Sequence, residues 1–506
     1  MLFNSYIFIL AFFPCVMLGW FLLHRPGFHR VALAFLAGMS LVFYGYNNVR
    51  YVPVIVCSVL CNYALSRALV PKRAAHLPEE EPGREDLSAR GGGTRHMLLV
   101  PGIAFNIGLI FYFKYYNFFF ENMNALFHTD VAFRQIALPL GISFFTFQQV
   151  SYLVDSWRGE TADYGFLEYA VFVTYFPQLV AGPIVLHNEM IPQFRDESLH
   201  KINADNVANG LILFILGLFK KVVIADTLSG AVAWGFGNVS LMTAGDAWFV
   251  MLAYTFQIYF DFSGYCDMAC GMARMMNITL PMNFDSPYKA LSIREFWKRW
   301  HLTLTRFLTR YVYVPLGGSR KGLRRTCINT MIVFLLSGLW HGANWTFVLW
   351  GALHGLFSVA ERLLARVPVK KNMHPAARWI YTFLVVNILW LLFRADSVGQ
   401  WKDILSVMFR MESLNISDEL LWTFVLPENQ ILYGFGFPAK LNGLVRGFPA
   451  VVVFLFAYLV CMIPENNVRM QARARTHMWM VPVCAVALTW SLLCLSSESV
   501  FLYFNF

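Results

Sequence analysis

Fourteen apolar runs decide what this chain can fold into. They cover, approximately, residues 5–23, 31–46, 52–70, 97–120, 136–154, 166–186, 207–224, 246–262, 264–280, 327–340, 343–360, 378–394, 448–464 and 478–495. About 20 apolar residues carry a helix across roughly 30 Å of hydrocarbon. Backbone in lipid must satisfy its hydrogen bonds within the segment, so such runs are helices. The pattern predicts an all-α polytopic membrane protein with eleven to fourteen spanning or re-entrant helices. Composition agrees. Of 506 residues, 58% are hydrophobic and only 14% charged, and the mean hydropathy of +0.52 excludes an ordinary soluble domain. The first run lacks a basic leader and a small-residue cleavage site, so it reads as a retained helix.

The net charge of +10 has no soluble basic domain to carry it. Nucleic acid is therefore not expected as a partner, and the lipid bilayer is. Basic residues cluster after the first run (Arg25, Arg30), in the 71–96 linker, through 289–325, over 362–378 and at 469–475. Alternating through the runs puts all these clusters on one side, which the positive-inside rule makes cytoplasmic. Both termini and the 395–447 loop then face outward. The whole chain, 1–506, reads as one integral membrane domain. Within it, 71–96 is a flexible cytoplasmic linker rich in Pro, Gly and charge, and 289–325 is a basic cytoplasmic segment with an interfacial helix. The 395–447 loop folds back amphipathically through Trp401, Leu405, Met408, Leu420, Leu421 and Trp422.

The unusual chemistry lies between Arg294 and Gly355. Taken as one helix, R-E-F-W-K-R-W-H puts Arg294, Lys298, His301 and Thr305 on one face and Trp297, Trp300, Leu304 and Leu308 on another. A basic face beside a Trp/Leu face suits a helix lying among lipid headgroups. Further on, the run Cys327–Leu339 has 13 residues, about 20 Å of helix against roughly 30 Å of hydrocarbon. The break Trp340-His341-Gly342-Ala343-Asn344 should therefore lie at membrane depth. An ionisable residue there is a functional site by default; the competing reading of His341 is a core histidine bonded to a carbonyl. For His301 the competitor is a solvated interfacial histidine. Asn344 suits either a helix cap or a group that holds a histidine tautomer or a substrate carbonyl.

Asp261, Tyr265 and Asp267 lie in the mainly apolar stretch Tyr259-Phe-Asp-Phe-Ser-Gly-Tyr-Cys-Asp267. Buried carboxylates need partners. The basic 294–310 segment or His301 is the expected source, in a structural ion pair more readily than in a catalytic base. Pro177-Gln-Leu-Val-Ala-Gly182-Pro183 carries helix-breaking chemistry suited to a bent segment. The basic, glycine-rich Tyr313–Gly322 stretch lacks the P-loop spacing, yet its backbone and arginines suit contact with a phosphate-bearing donor. Cys57/Cys61 and Cys266/Cys270 have no second pair or histidine cluster to complete a metal site, and no metal is predicted.

Four motifs in this order, Y-F-D-F-S-G-Y-C-D-M-A, R-E-F-W-K-R-W-H-L-T-L, Y-V-P-L-G-G-S-R and L-S-G-L-W-H-G-A-N-W, resemble the membrane-bound O-acyltransferase (MBOAT) superfamily. The match is closest to its bacterial alginate O-acetylation branch. M-L-F-N-S-Y, P-Q-L-V-A-G-P-I and F-L-Y-F-N-F extend the resemblance over nearly the whole chain. It implies a ring of about 11–14 transmembrane or re-entrant helices around a central funnel. It puts His341 at the signature histidine and His301 at the second polar catalytic position. Asn344, Asp267, Asp261, Tyr265, Arg294, Lys298, Arg299 and Trp340 become supporting or donor-binding residues. It further implies acetyl-CoA as the acyl donor, with no tightly bound cofactor. A periplasmic SGNH-type acetyltransferase is the implied partner, a surface polysaccharide such as alginate, peptidoglycan or cellulose the final acceptor, and the bacterial inner membrane the location. In that reading His341 is a general base or a transient acyl carrier, and His301 orients the thioester or stabilises the oxyanion. The rival class is a transporter or channel that uses the intramembrane His and Asp residues as a proton or solute path.

Overall fold

Helices account for the regular structure of a computed structural model that describes residues 1–24, 27–70, 92–365, 373–410, 413–424, 447–462, 466–469, 480–496 and 502. The reason is that of the sequence: apolar runs in lipid have no other way to pair their backbone. The N-terminal helices are α1 (Phe13–Leu23), α2 (His29–Gly45), α3 (Val52–Leu69), α4 (Gly92–Ile110), α5 (Tyr116–Phe127) and α6 (Ile142–Arg158). Next come α7 (Phe166–Thr174), α8 (Phe176–Leu179), α9 (His187–Arg195), α10 (Ala204–Phe219), α11 (Asp226–Gly237) and α12 (Ala244–Met275). Two short helices follow, α13 (Ile293–Phe296) and α14 (Leu302–Leu308), before α15 (Gly322–His341), α16 (Trp345–Leu364) and α17 (Pro375–Arg394). The C-terminal part holds α18 (Val398–Arg410), α19 (Asp418–Trp422), α20 (Phe448–Met462) and α21 (Met480–Leu493).

Among the described residues, five helical stretches are long and apolar enough to cross a membrane: Val49–Leu69, Met97–Phe127, Ala204–Gly237, Trp345–Leu364 and Pro375–Arg394. Phe8–Leu23, His29–Gly45, Phe448–Met462 and Met480–Leu493 are shorter apolar helices. The chain is an all-α polytopic membrane protein. It forms two compact units, one of residues 1–211 with 269–281 and the other of 212–268 with 282–506. Of the expected 71–96 linker, residues 71–91 lie outside the described part, as do 425–446 of the expected outer loop. Before that gap, α18 buries Ile404 and Met408 and leaves Phe409 exposed.

Three expectations change. The runs 246–262 and 264–280 are one 32-residue helix, α12. Gly264 between them is a packing contact and not a break, since a methyl there would lie 2.7 Å from the Gly217 carbonyl oxygen. The run 166–186 is split into the nine residues of α7 and the four of α8. Tyr175 leaves helical geometry with ψ 109° ahead of Phe176-Pro177, and the Gln178 side chain donates back to the Phe172 carbonyl at 2.7 Å. Finally, 294–310 is not one interfacial helix. It breaks at His301, whose φ is +47°, because Asp285 N–H donates to Arg299 O at 2.8 Å and Leu302 N–H to Asn283 O at 3.0 Å. Trp297 and Trp300, expected at the lipid surface, are buried.

Cys266 and Cys270 are buried, while Cys57 and Cys61 are exposed.

Helices α15 and α16 meet through glycines, as closely packed membrane helices do. A Cβ at Gly338 would collide with the Phe347 carbonyl oxygen, and one at Gly351 with that of Phe334. Gly338→Ala is expected to push the pair apart at a cost of about 1–3 kcal/mol and to displace His341 one turn on. A lowered melting temperature with reduced activity checks it; a variant indistinguishable from wild type in both contradicts it.

Candidate functional site

Every residue of this site belongs to the second unit. His341 is the last residue of α15 and is 5% exposed. Gly342 then runs extended, with φ −166° and ψ 156°, so the break expected at residues 340–344 is present. Asn344 is a helix cap: its side-chain oxygen accepts from Thr346 N–H at 2.9 Å and its amide donates to Asp396 O at 3.0 Å. This is the first of the two roles its sequence context allowed. The His341 ring packs against Trp340, Trp350 and Phe393, at centroid distances of 4.9, 5.1 and 5.1 Å.

His301 is fully buried, which overturns a place on a solvated basic face. Its ring meets Phe262 at 4.9 Å and Trp340 at 5.9 Å. Trp340 therefore touches both histidines. Asn283 sets the His301 tautomer. Its Oδ1 accepts from the Thr303 backbone N–H at 3.2 Å and from the Thr303 hydroxyl at 2.9 Å, which identifies that atom as the oxygen. His301 Nδ1, 3.1 Å from the same atom, must then carry the proton and donate. The remaining nitrogen, Nε2, is buried with a lone pair and no hydrogen-bond partner. Neutral His301 accepts a proton; it cannot donate to an oxyanion without first becoming an imidazolium.

The carboxylates find partners the sequence reading did not name. Lys221 Nζ lies 2.7 Å from Asp261 and 2.7 Å from Asp226, and Lys220 Nζ lies 2.7 Å from Asp267. Asn467 also donates to Asp267 at 2.7 Å. Two consecutive lysines reach inward together because Lys220–Ala225 is π-helical, and a π segment offsets successive side chains from α spacing. The structural ion-pair reading stands; neither His301 nor the 294–310 segment supplies the cations. Tyr265 is buried on the same helix. The overlooked signal was two lysines inside the 207–224 apolar run.

Arg294 and Lys298 are exposed and line a cavity of about 320 Å³ with Trp297, Thr305, Ser337 and Arg362. Arg299 turns aside to Glu295 at 2.9 Å and to the Asp285 carbonyl at 3.2 Å. Glu361, also overlooked, holds α13 by accepting from the backbone N–H groups of Ile293 and Arg294 at 3.0 and 3.3 Å. His354 is a third buried histidine. Trp297 donates to its Nδ1 at 3.2 Å, and its ring stacks edge-on to Trp350 at 4.7 Å. A cationic cavity wall thus connects through Trp297 and Trp350 to His341, with Trp297–Trp350 centroids 5.6 Å apart.

Residues 42–397 match the MBOAT, membrane-bound O-acyltransferase, family. The chain belongs to that family. It is an acyltransferase, and the resemblance carried by the sequence motifs is established. A peptidoglycan O-acetyltransferase of Helicobacter pylori is 35% identical over 100% of this chain and 98% of its own length. A probable alginate O-acetylase of Pseudomonas putida is 35% identical over 83% of this chain and 82% of its own. A teichoic acid D-alanyltransferase of Streptococcus thermophilus is 29% identical over 43% of this chain and 55% of its own. The MBOAT match includes His301, His341 and the cavity residues from Arg294 to Arg362.

Proposed function

We propose that this MBOAT member takes an acetyl group from acetyl-CoA at the cytoplasmic face of the bacterial inner membrane. It passes the group outward, through a periplasmic SGNH-type partner, to hydroxyls of a surface polysaccharide or peptidoglycan. The carrying observation is the pair of buried histidines on Trp340, approached by a cavity with cationic walls. The relatives named for O-acetylation of peptidoglycan and alginate support acetyl as the group and a glycan as the acceptor.

His341 is the general base. The acceptor oxygen attacks the thioester carbonyl, forming a C–O bond and breaking C–S. The hydroxyl proton passes to imidazole and then to the leaving thiolate, giving the acetyl ester and free CoA thiol. A buried site strengthens such a transfer because little water competes for the imidazole. His301, with its buried Nε2 lone pair, takes or relays a proton beside His341. It stabilises an oxyanion only once protonated. Arg294, Lys298 and Arg362 bind the phosphates of the donor.

Sidedness follows from counting crossings. α7, with nine residues, is about 13 Å long and too short to span, while α12 crosses once in place of two runs. The two corrections cancel. The basic 289–325 segment therefore keeps the cytoplasmic assignment that the positive-inside rule gives it.

Reversing the cavity charge tests the donor site. Arg294→Glu/Lys298→Glu is expected to raise KM for acetyl-CoA about ten-fold or more with little loss of kcat, as for loss of uniform binding. An unchanged KM removes these residues from the donor site. The whole reading is tested in proteoliposomes with labelled acetyl-CoA outside the cytoplasmic face only and the partner and glycan inside. Label must appear on the far side as ester. Solute flux with no thioester consumed would support the transporter reading instead.

A further inference from the structure

Three histidines outside this machinery converge in the first unit. His24 follows α1, His29 opens α2, and His200 ends the short 3-10 helix Glu197–His200. One ring nitrogen of each lies within 4.8 Å of the other two. Ring centroids are 4.0 Å apart for His24 and His200, 5.3 Å for His29 and His200, and 5.7 Å for His24 and His29.

Hydrogen bonds decide which nitrogens are available. His24 Nδ1–H donates to the Trp20 carbonyl at 2.8 Å, so Nε2 carries the lone pair; it is buried with no hydrogen-bond partner. His200 Nε2–H donates to the Phe194 carbonyl at 3.1 Å, leaving Nδ1 as its lone pair. His29 Nδ1 is buried without a partner as well. An N–H bonded to a backbone carbonyl opposite a free nitrogen is how metal-ligating imidazoles are oriented. Nearby, Arg195 is already paired with Glu168 at 2.7 Å.

We propose that His24, His29 and His200 bind a divalent late-transition cation such as zinc, with water completing a tetrahedron. Imidazole suits zinc, copper and nickel, and the hard cations prefer oxygen. On a tetrahedral zinc the nitrogens stand roughly 3.3 Å apart, a gap that side-chain rotation closes. The ion would tie the α1–α2 turn to the segment after α9, more than 170 residues later in the chain. Binding to the folded state alone stabilises that state.

The test uses the full-length protein in detergent with any affinity tag removed. One zinc per chain is expected after gel filtration, with a melting temperature that zinc raises and a chelator lowers. His29→Ala and His200→Ala should each weaken zinc binding about ten-fold or more. Cobalt gives a second readout that does not depend on loss of binding: His29→Cys should keep the ion and add a thiolate charge-transfer band. No zinc uptake by wild type, or equal uptake by the His24→Ala/His29→Ala/His200→Ala protein, would overturn the site, as would cobalt-loaded His29→Cys without that band.

Discussion

His341→Ala is expected to lower acetyl transfer by about 10²–10⁴-fold, the usual contribution of a positioned general base. That loss raises the barrier by about 3–5 kcal/mol. Donor KM should change little, because the cavity that would hold the donor is lined by Arg294, Trp297, Lys298 and Arg362 and not by the imidazole. The ring is wedged between Trp340, Trp350 and Phe393, so truncation also opens a void. His341→Gln fills that space without supplying a base near neutral pH, and it should be equally inactive while melting close to wild type. Thioester consumption in proteoliposomes, compared with melting curves, separates the two effects. A folded His341→Ala or His341→Gln protein with wild-type turnover would remove His341 from the chemistry.

The largest effect on stability is expected from Lys221→Ala. One ammonium, with its side chain 3% exposed, serves both Asp226 and Asp261. Its removal leaves Asp261 buried with, among the described residues, the Leu502 backbone N–H at 3.1 Å as its remaining partner. Breaking a buried pair from one side costs about 3–5 kcal/mol, because the remaining charge has lost water and gained nothing. Asp261→Asn in the same protein should recover part of the loss by deleting the stranded charge. Lys220→Ala should cost less, since Asp267 keeps its bond from Asn467. Thermal unfolding in detergent reads all three variants against wild type. If Lys221→Ala melts with wild type, the pair is not holding α12 against the π segment.

How much of this was legible beforehand varies by element. The break at His341 was legible because a short apolar run ends in Gly342 and Asn344, and both residues terminate or start helices by local chemistry. The class of protein was legible from hydropathy alone. The fate of Gly264 was not: glycine breaks one helix and lets another pass close to it, and only the presence of Gly217 opposite decides which. His301 illustrates the same limit. Helical periodicity put it on a basic face, whereas backbone bonds to residues 283–285 turned it inward. His354 sits one turn after Trp350 in an apolar helix, and nothing in that spacing says that Trp297 will reach it.

By itself, then, the sequence determined the membrane class, the run of helices and the break that carries His341. Those follow from interactions within about a dozen neighbouring residues, where burial of apolar side chains and local backbone chemistry dominate. Only the tertiary structure decided the partners of Asp261 and Asp267, the tautomer of His301, the shared Trp340 and the meeting of His24, His29 and His200. Each depends on which side chain arrives from a distant segment, and a buried polar group takes whichever partner comes within hydrogen-bonding reach.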